Sequence, residues 1–373
     1  MDKDFYWLWL CNIKGVWNGT IEGLLKIFNS PEEIYRADSR TLEKALELIK
    51  TNNKKMNYME NIVLSRNYDR IMRLRESLNK KGIYFIHINN KCYPEKLRGI
   101  KGHPYGIYLK GKQKDIQRYD EKRRAVAVVG ARNCSSYGRK MAHEISFTLA
   151  ANGVDIISGM ARGIDSEGHW GAIDAGGTTC AVMGCGVDVC YPRENIELYE
   201  RILERGCILS DYPAGTEPLA WQFPFRNRII SALADRILVV EAKEKSGSLI
   251  TVSYGLEQGK DVYAVPGRAD DVLSAGCNRL IREGAGIAVS AEDILIDLGI
   301  KPDNKAKKTK NKKIVLEKDL ETLYSFIDFL PKSIHTLLKE TGRDSMEIFR
   351  DLVKLQMMGL IEEPSKNYYS KKT

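Results

Sequence analysis

The sequence predicts a doubly wound, mostly parallel α/β sheet, preceded by an all-α unit and followed by a winged helix. Three observations carry this reading. Short apolar runs alternate with helix-periodic segments through the middle of the chain. The first eighty residues are helical in pattern. A lysine-rich segment then sets apart three short helices with a candidate β wing. With 373 residues and 43% hydrophobic content, the chain can fill two or three cores, and global disorder is excluded.

Residues 1–80 read as a small helical domain of the SAM or helix–hairpin–helix kind. Ser30-Pro31-Glu32-Glu33 follows the apolar Leu24, Leu25, Ile27 and Phe28. It supplies an N-cap, a first-turn proline and an acidic first turn. Helix periodicity continues from Thr41 to Ile49 and from Ile62 to Leu78. Asn12-Ile13-Lys14-Gly15 is a simple turn or a helix–hairpin–helix turn that meets a phosphate backbone. A single glycine-containing turn favours the first.

Residues 81–299 alternate strand and helix. Ala125–Val129 is a continuous apolar run, as expected of a strand buried on both faces. The helix after it carries Met141, Ile145 and Leu149 at i, i+4 and i+8. Val154–Ile157 then precedes a helical stretch Asp165–Asp174, and Thr179–Met183 precedes Ile196–Arg205. Cys207–Leu209 precedes Arg226–Leu233, Arg236–Val240 precedes Leu249–Leu256, and Asp261–Val265 precedes Asn278–Glu283. Such repetition specifies a parallel sheet with helices on both faces. Residues 300–316 form a lysine-rich linker that cannot build a core. Residues 317–373 carry helices at Leu320–Phe329, Ser333–Glu340 and Ser345–Gln356. A wing from Gly359–Pro364 and Asn367–Tyr369 completes a winged helix-turn-helix pattern.

The formal net charge of +9 favours a polyanionic partner such as nucleic acid, although charge alone does not decide. The eight cysteines form no C-x-x-C pair and have no histidine at finger spacing. No metal or cofactor is therefore expected, and scattered free thiols point to a reducing compartment. The N-terminus lacks a signal-peptide pattern and no segment is apolar enough to span a bilayer, so a cytoplasmic protein without a membrane partner is expected.

In open parallel sheets, ligands bind beyond the carboxyl ends of the strands. Those ends read Gly130-Ala131-Arg132-Asn133, Ser158-Gly159-Met160-Ala161-Arg162-Gly163-Ile164-Asp165, Gly184-Cys185-Gly186-Val187-Asp188, Ser246-Gly247-Ser248-Leu249-Ile250-Thr251 and Val265-Pro266-Gly267-Arg268. Glycine permits close backbone approach, and amides at helix starts attract anions. Arg132 follows the first of these strands, and Phe223-Pro224-Phe225-Arg226-Asn227-Arg228 opens a later helix. A planar guanidinium can grip two phosphate oxygens. Trp221, Phe223 and Phe225 beside those arginines either stack bases or fill the core. The candidate DNA-binding set is Gly130, Arg132, Ser158, Gly159, Arg162, Gly163, Phe225, Arg226, Asn227, Arg228, Ser246, Gly247, Ser248 and Gly267. No catalytic residue is assigned.

Enzyme readings lack their motifs. There is no G-x-x-x-x-G-K-[ST], and the turn after the first core strand lacks G-x-G-x-x-G. His169 and Asp165 can be posed as a base and its orienter. With no nucleophile beside them, structural hydrogen bonding is the better reading. Asp165, Asp188 and Asp211 follow strands without a spacing that converges on a metal.

At these same residues the sequence resembles the DNA-processing protein A (DprA/Smf) family over about residues 90–298. The resemblance lies in an ordered series. It starts with Val129-Gly130-Ala131-Arg132 and Ser136-Tyr137-Gly138, then Ser158 to Asp165 with His169, and Gly184 to Asp188 with Tyr191-Pro192. Phe223-Pro224 to Asn227-Arg228, Glu241-Ala242 with Ser246 to Thr251, and Ala264 to Gly267 complete it. It implies an extended Rossmann-like fold that binds single-stranded DNA at the strand ends. It also implies a homodimer that protects incoming DNA and helps load the recombinase RecA during natural transformation, in competence and DNA recombination. Ala131 stands where Ser or Thr is common, Asp211 where Glu is usual, and Gly168 where Ala is usual; none of these removes an arginine. The alternative is a nucleotide-binding enzyme like the nucleoside-monophosphate phosphoribohydrolases. Those carry P-G-G-x-G-T-x-x-E, whereas this chain has Pro266-Gly267-Arg268-Ala269.

Overall fold

The structure, a computed structural model, describes residues 2–49, 58–111, 124–302, 316–328 and 331–371. Six helices come first: Lys3–Cys11, Asn18–Ile27, Pro31–Arg36, Ser39–Leu48, Tyr58–Ser65 and Tyr68–Lys80. Ser30 caps its helix by accepting from the Glu33 amide. The periodic stretch Ile62–Leu78 is two helices, not one. The Asn67 carboxamide accepts from the Arg70 amide at 2.9 Å and starts a new helix there. These helices share a core with the sheet: one apolar cluster runs from Phe5, Trp9 and Leu24 to Tyr108 and Ile208. Trp7 stacks on His87, with ring centroids 5.3 Å apart. His87 Nε2 in turn lies 2.9 Å from Asp4.

The central sheet has nine strands: β1 (Ile83–His87), β2 (Gly106–Gly111), β3 (Ala125–Val129), β4 (Asp155–Ser158), β5 (Thr179–Val182), β6 (Cys207–Ser210), β7 (Arg236–Val239), β8 (Asp261–Ala264) and β9 (Gly286–Ile287). Their order is β1-β2-β6-β5-β4-β3-β7-β8-β9. Strands β3 to β9 pair in parallel. β1 and β2 add an antiparallel margin that the strand reading did not contain. Strands β3 to β6 are fully buried, as the apolar run Ala125–Val129 requires.

Connecting helices are Ser136–Ala151, Ile164–Asp174, Ile196–Arg205, Gln222–Leu233, Ser248–Glu257 and Ala275–Arg282, with Ala291–Asp297 closing the region. The fourth begins at Gln222, not at Arg226 as expected. Pro224 falls in its first turn, where an amide would have no intrahelical acceptor, so proline does not block it.

The last segment contains helices Lys318–Phe326, Ile334–Thr341 and Ser345–Met357. A three-stranded antiparallel sheet accompanies them, β10 (Lys332–Ser333), β12 (Tyr368–Lys371) and β11 (Ile361–Ser365) in that order. Its own core holds Leu323, Leu337, Leu352 and Leu355. Of the expected linker, residues 303–315 lie outside the described residues, as does the expected helix end at Phe329. Among the described residues no helix is long and apolar enough to cross a membrane.

Gly171 marks the tightest crossing of the Ser136–Ala151 and Ile164–Asp174 helices. A Cβ there would press on the backbone of His143 and Phe147. Gly171→Ala should lower the unfolding free energy by about 1–3 kcal/mol, measured by denaturant titration.

Candidate nucleic-acid interface

β3 and β7 are neighbours, with Val129 opposite Val239. The chain leaves β3 toward β4 on one side and leaves β7 toward β8 on the other. Loops that diverge in this way open a crevice at the carboxyl ends of the two strands. The crevice holds a cavity of about 360 Å³. Gly130 to Asn133 line it from β3. Lys243, Lys245 and Ser246 to Ser248 line it from β7, and Phe223, Arg226 and Asn227 from the Gln222–Leu233 helix.

Glu241, just beyond β7, locks the two loops together. Its backbone carbonyl accepts from the Ala131 amide at 2.7 Å. Its carboxylate accepts from the Ser135 amide at 2.9 Å and from the Ser135 hydroxyl. Ser135 is also the N-cap of the Ser136–Ala151 helix. The carboxylate thus sits at a helix N-terminus, where negative charge is favoured, although burial pushes its pKa up.

Arg226 is the deepest cation of the crevice, only 4% exposed. Its Nη1 donates to the Gly159 carbonyl at 3.1 Å, and its Nε donates to the Asn227 carboxamide at 3.3 Å. Gly159 must be glycine, because a Cβ would come within 2.5 Å of Nη2. The Asp165 carboxylate accepts from the Gly159 amide at 3.1 Å and faces the guanidinium. Burial raises the Asp165 pKa and lowers that of Arg226, so each charge helps to hold the other. Arg132 stands at the mouth, exposed, with Cζ 5.8 Å from the Phe223 ring centroid. Among the described residues no ion pair within 4 Å engages Arg132, Lys243 or Lys245, although the Asp165 carboxylate feels the Arg132 charge. Asp165 is the cavity's one acidic lining residue among those described.

Helix geometry sorts the Phe223–Arg228 segment. Residues at i, i+3 and i+4 share a face, whereas i and i+2 oppose one another. Phe223, Arg226 and Asn227 therefore line the crevice, while Phe225 and Arg228 turn away from it. Arg228 is buried, pairs with Asp211 at 2.6 Å, and donates to the Gly102 and Phe225 carbonyls at 2.9 and 2.8 Å. Its donors hold the fold and are withheld from a ligand.

The other expected residues divide similarly. Ser246, Gly247 and Ser248 line the cavity; a Cβ at Gly247 would meet nothing within 4 Å, while its carbonyl accepts from the Ile250 amide at 3.2 Å. Gly130 lines it too, but is glycine for packing, since a Cβ would lie 2.6 Å from Ile164. Gly163 has a φ of +72° and abuts the Ala131 and Arg132 carbonyls. Gly267 packs on Ser274. Neither Gly163 nor Gly267 reaches the cavity. The Ser158 hydroxyl is buried and donates to the Val128 carbonyl at 2.6 Å. Arg162 is exposed on an adjoining groove of about 420 Å³ shared with Arg132, and is engaged by Glu194. The sequence reading missed Lys243, Lys245 and Asn133 as lining groups; two lysines just before the Ser246–Ser248 turn were the available signal.

His169 and Asp165 do not bond each other. His169 Nδ1 meets the Thr179 hydroxyl at 2.6 Å, and that hydroxyl donates to the Ile156 carbonyl. Burial, aided by Arg226, pushes the imidazole down to about 3 from its ordinary 6.5. An unfolded chain binds this proton in a range where the folded chain refuses it. His169 therefore costs stability progressively as pH falls from about 6.5 toward 3. His169→Gln should flatten the acid side of the stability–pH curve, read from denaturation between about pH 7 and pH 4. Arg228→Met, which leaves Asp211 buried and unpaired, should cost about 3–5 kcal/mol in the same assay.

A family model described as DNA recombination-mediator protein A matches residues 84–299. The DNA processing protein DprA of Bacillus subtilis is 39% identical over 231 residues, 62% of this chain and 76% of that one. Its Streptococcus pneumoniae counterpart is 42% identical over 210 residues, 56% and 72% of the two chains. The X-ray structure of Streptococcus pneumoniae DprA superposes with a TM-score of 0.66 at 34% identity, covering 80% of this chain and 99% of that one. A Helicobacter pylori DNA processing protein A structure, described for its single-stranded DNA binding mode, gives a TM-score of 0.52 at 27% identity, covering 57% and 95%. The chain belongs to the DNA recombination-mediator protein A family, that of the DprA and Smf proteins.

Proposed function

We propose that the chain binds single-stranded DNA without strong sequence preference, seating backbone phosphates in the switch-point crevice. One observation carries this reading. Arg132, Lys243 and Lys245, engaged by no close ion pair among the described residues, line the same cavity as Gly247 and the buried Arg226. Such a set offers charge-assisted donors to phosphate oxygens. The description of the Helicobacter pylori relative by its single-stranded DNA binding mode supports it.

On this reading the protein is a cytoplasmic recombination mediator with no catalytic activity of its own. It forms a homodimer, protects incoming DNA and helps load RecA during natural transformation. Against nucleotide cleavage stand the burial of Asp165 and His169 and the absence of the hydrolase loop at Pro266 to Ala269. The last segment acts as a winged helix in an auxiliary role. Its Ser345–Met357 helix exposes Met346, Phe349, Val353 and Met357 along one face. An apolar stripe there fits a phosphate backbone poorly.

Affinity for an oligothymidylate should fall with salt at a log–log slope of about −0.7 per phosphate neutralised. Replacing Arg132, Lys243 and Lys245 with alanine should flatten that slope by about 2 in a chain that melts normally. A folded triple variant with an unchanged slope would defeat the assignment of phosphates to this crevice.

A further inference from the structure

A second cavity, of about 710 Å³, lies where the N-terminal helices meet the sheet. The Asn12–Gly15 turn and Trp17 form one wall; Tyr212, Pro213 and Phe225 form the other. Its mouth carries aromatic surface that a folded chain ordinarily hides. Trp17 is 45% exposed and Trp221 50% exposed, packed edge to face with centroids 5.3 Å apart. The Tyr212 ring lies 6.1 Å from that of Trp221. Phe225 is fixed by the Arg228 guanidinium, 3.7 Å from its centroid.

This cavity and the phosphate crevice share no lining residue and are separated by the first turns of the Gln222–Leu233 helix. Phe223, Arg226 and Asn227 face the crevice, and Phe225, between them in sequence, faces the second cavity. A strand that crosses the start of this helix has cations on one side and rings on the other. We propose that the second cavity receives unstacked nucleobases of the same single strand, so that the N-terminal domain supplies half of a base-binding site. The inference rests on the reading of the crevice as a single-strand site.

Its chemistry favours bases over an apolar peptide. The Asn18 and Asn61 carboxamides stand among the lining groups with Thr216, and amides pair with base edges as donor and acceptor. The acidic lining residue, Asp211, is already engaged by Arg228, and Lys14 is exposed on the turn. Aromatic faces accept any base, so sequence tolerance is preserved.

The test uses the full chain, an oligothymidylate, and the same oligonucleotide made abasic. Wild type should prefer the base-bearing strand by roughly tenfold or more. Trp17→Ala with Trp221→Ala should lose most of that preference. Its affinity for the abasic strand and its salt slope should stay unchanged, because no phosphate contact is removed. Trp17→Phe with Trp221→Phe should retain most of the preference, which guards against a folding defect. Equal wild-type affinity for the two strands would overturn the proposal. So would a folded alanine variant that keeps the full preference, or one that changes self-association and leaves DNA affinity alone. A wild type that binds neither strand would sink the crevice reading along with it, whereas salt-dependent binding without base preference would sink the second cavity alone.

Discussion

The parallel pairing of β3 with β7 is the constraint on which the site depends. Because the chain departs from these neighbours in opposite directions, their connections diverge and open a crevice at the carboxyl ends. The opening is kept in shape by Glu241, whose backbone and carboxylate tie the loop after β3 to the end of β7. Arg226 then reaches the crevice floor because Gly159 has no side chain and Asp165 offsets part of the cost of burying a cation. Several residues of the candidate set are thus explained by internal packing, and a smaller set is left over for a ligand.

That division separates what the sequence disclosed from what it concealed. The strands β3 to β8 were legible because burial demands short apolar runs such as Ala125–Val129 and Ile237–Val240. The antiparallel margin was not, because β1 exposes Tyr84 and β2 ends in the half-buried Lys110 and Gly111, which blurs the apolar signal. At the site, Gly247, Arg132 and Arg226 stood where strand ends placed them. Arg228 did not. Any helix that holds both puts Arg226 and Arg228 on opposite sides. Which side meets the crevice depends on how the helix packs on the sheet, and Arg228 is committed to Asp211, distant in sequence. Likewise a glycine needed for packing, such as Gly130, looks the same in sequence as one with open space beside it, such as Gly247.

The flanking segments differ in how they relate to the sheet. The N-terminal helices share its core, through Trp9 and Leu24 on one side and Tyr108 and Ile208 on the other. Their turn at Asn12 to Gly15, ambiguous as sequence, borders a cavity next to the crevice. The C-terminal segment has a core of its own and touches the rim through the Ser136 hydroxyl, which donates to Glu362 at 2.7 Å. An acid placed there lies at the N-terminus of the Ser136–Ala151 helix, where the helix dipole favours it.

Hydrogen exchange with and without bound oligothymidylate tests the central claim most directly, since it locates the ligand on the intact chain. Protection should gather at residues 130–133, 223–227 and 243–248, the three segments that meet at the switch point. Protection concentrated on the Ser345–Met357 helix, with those three segments unchanged, would contradict the account.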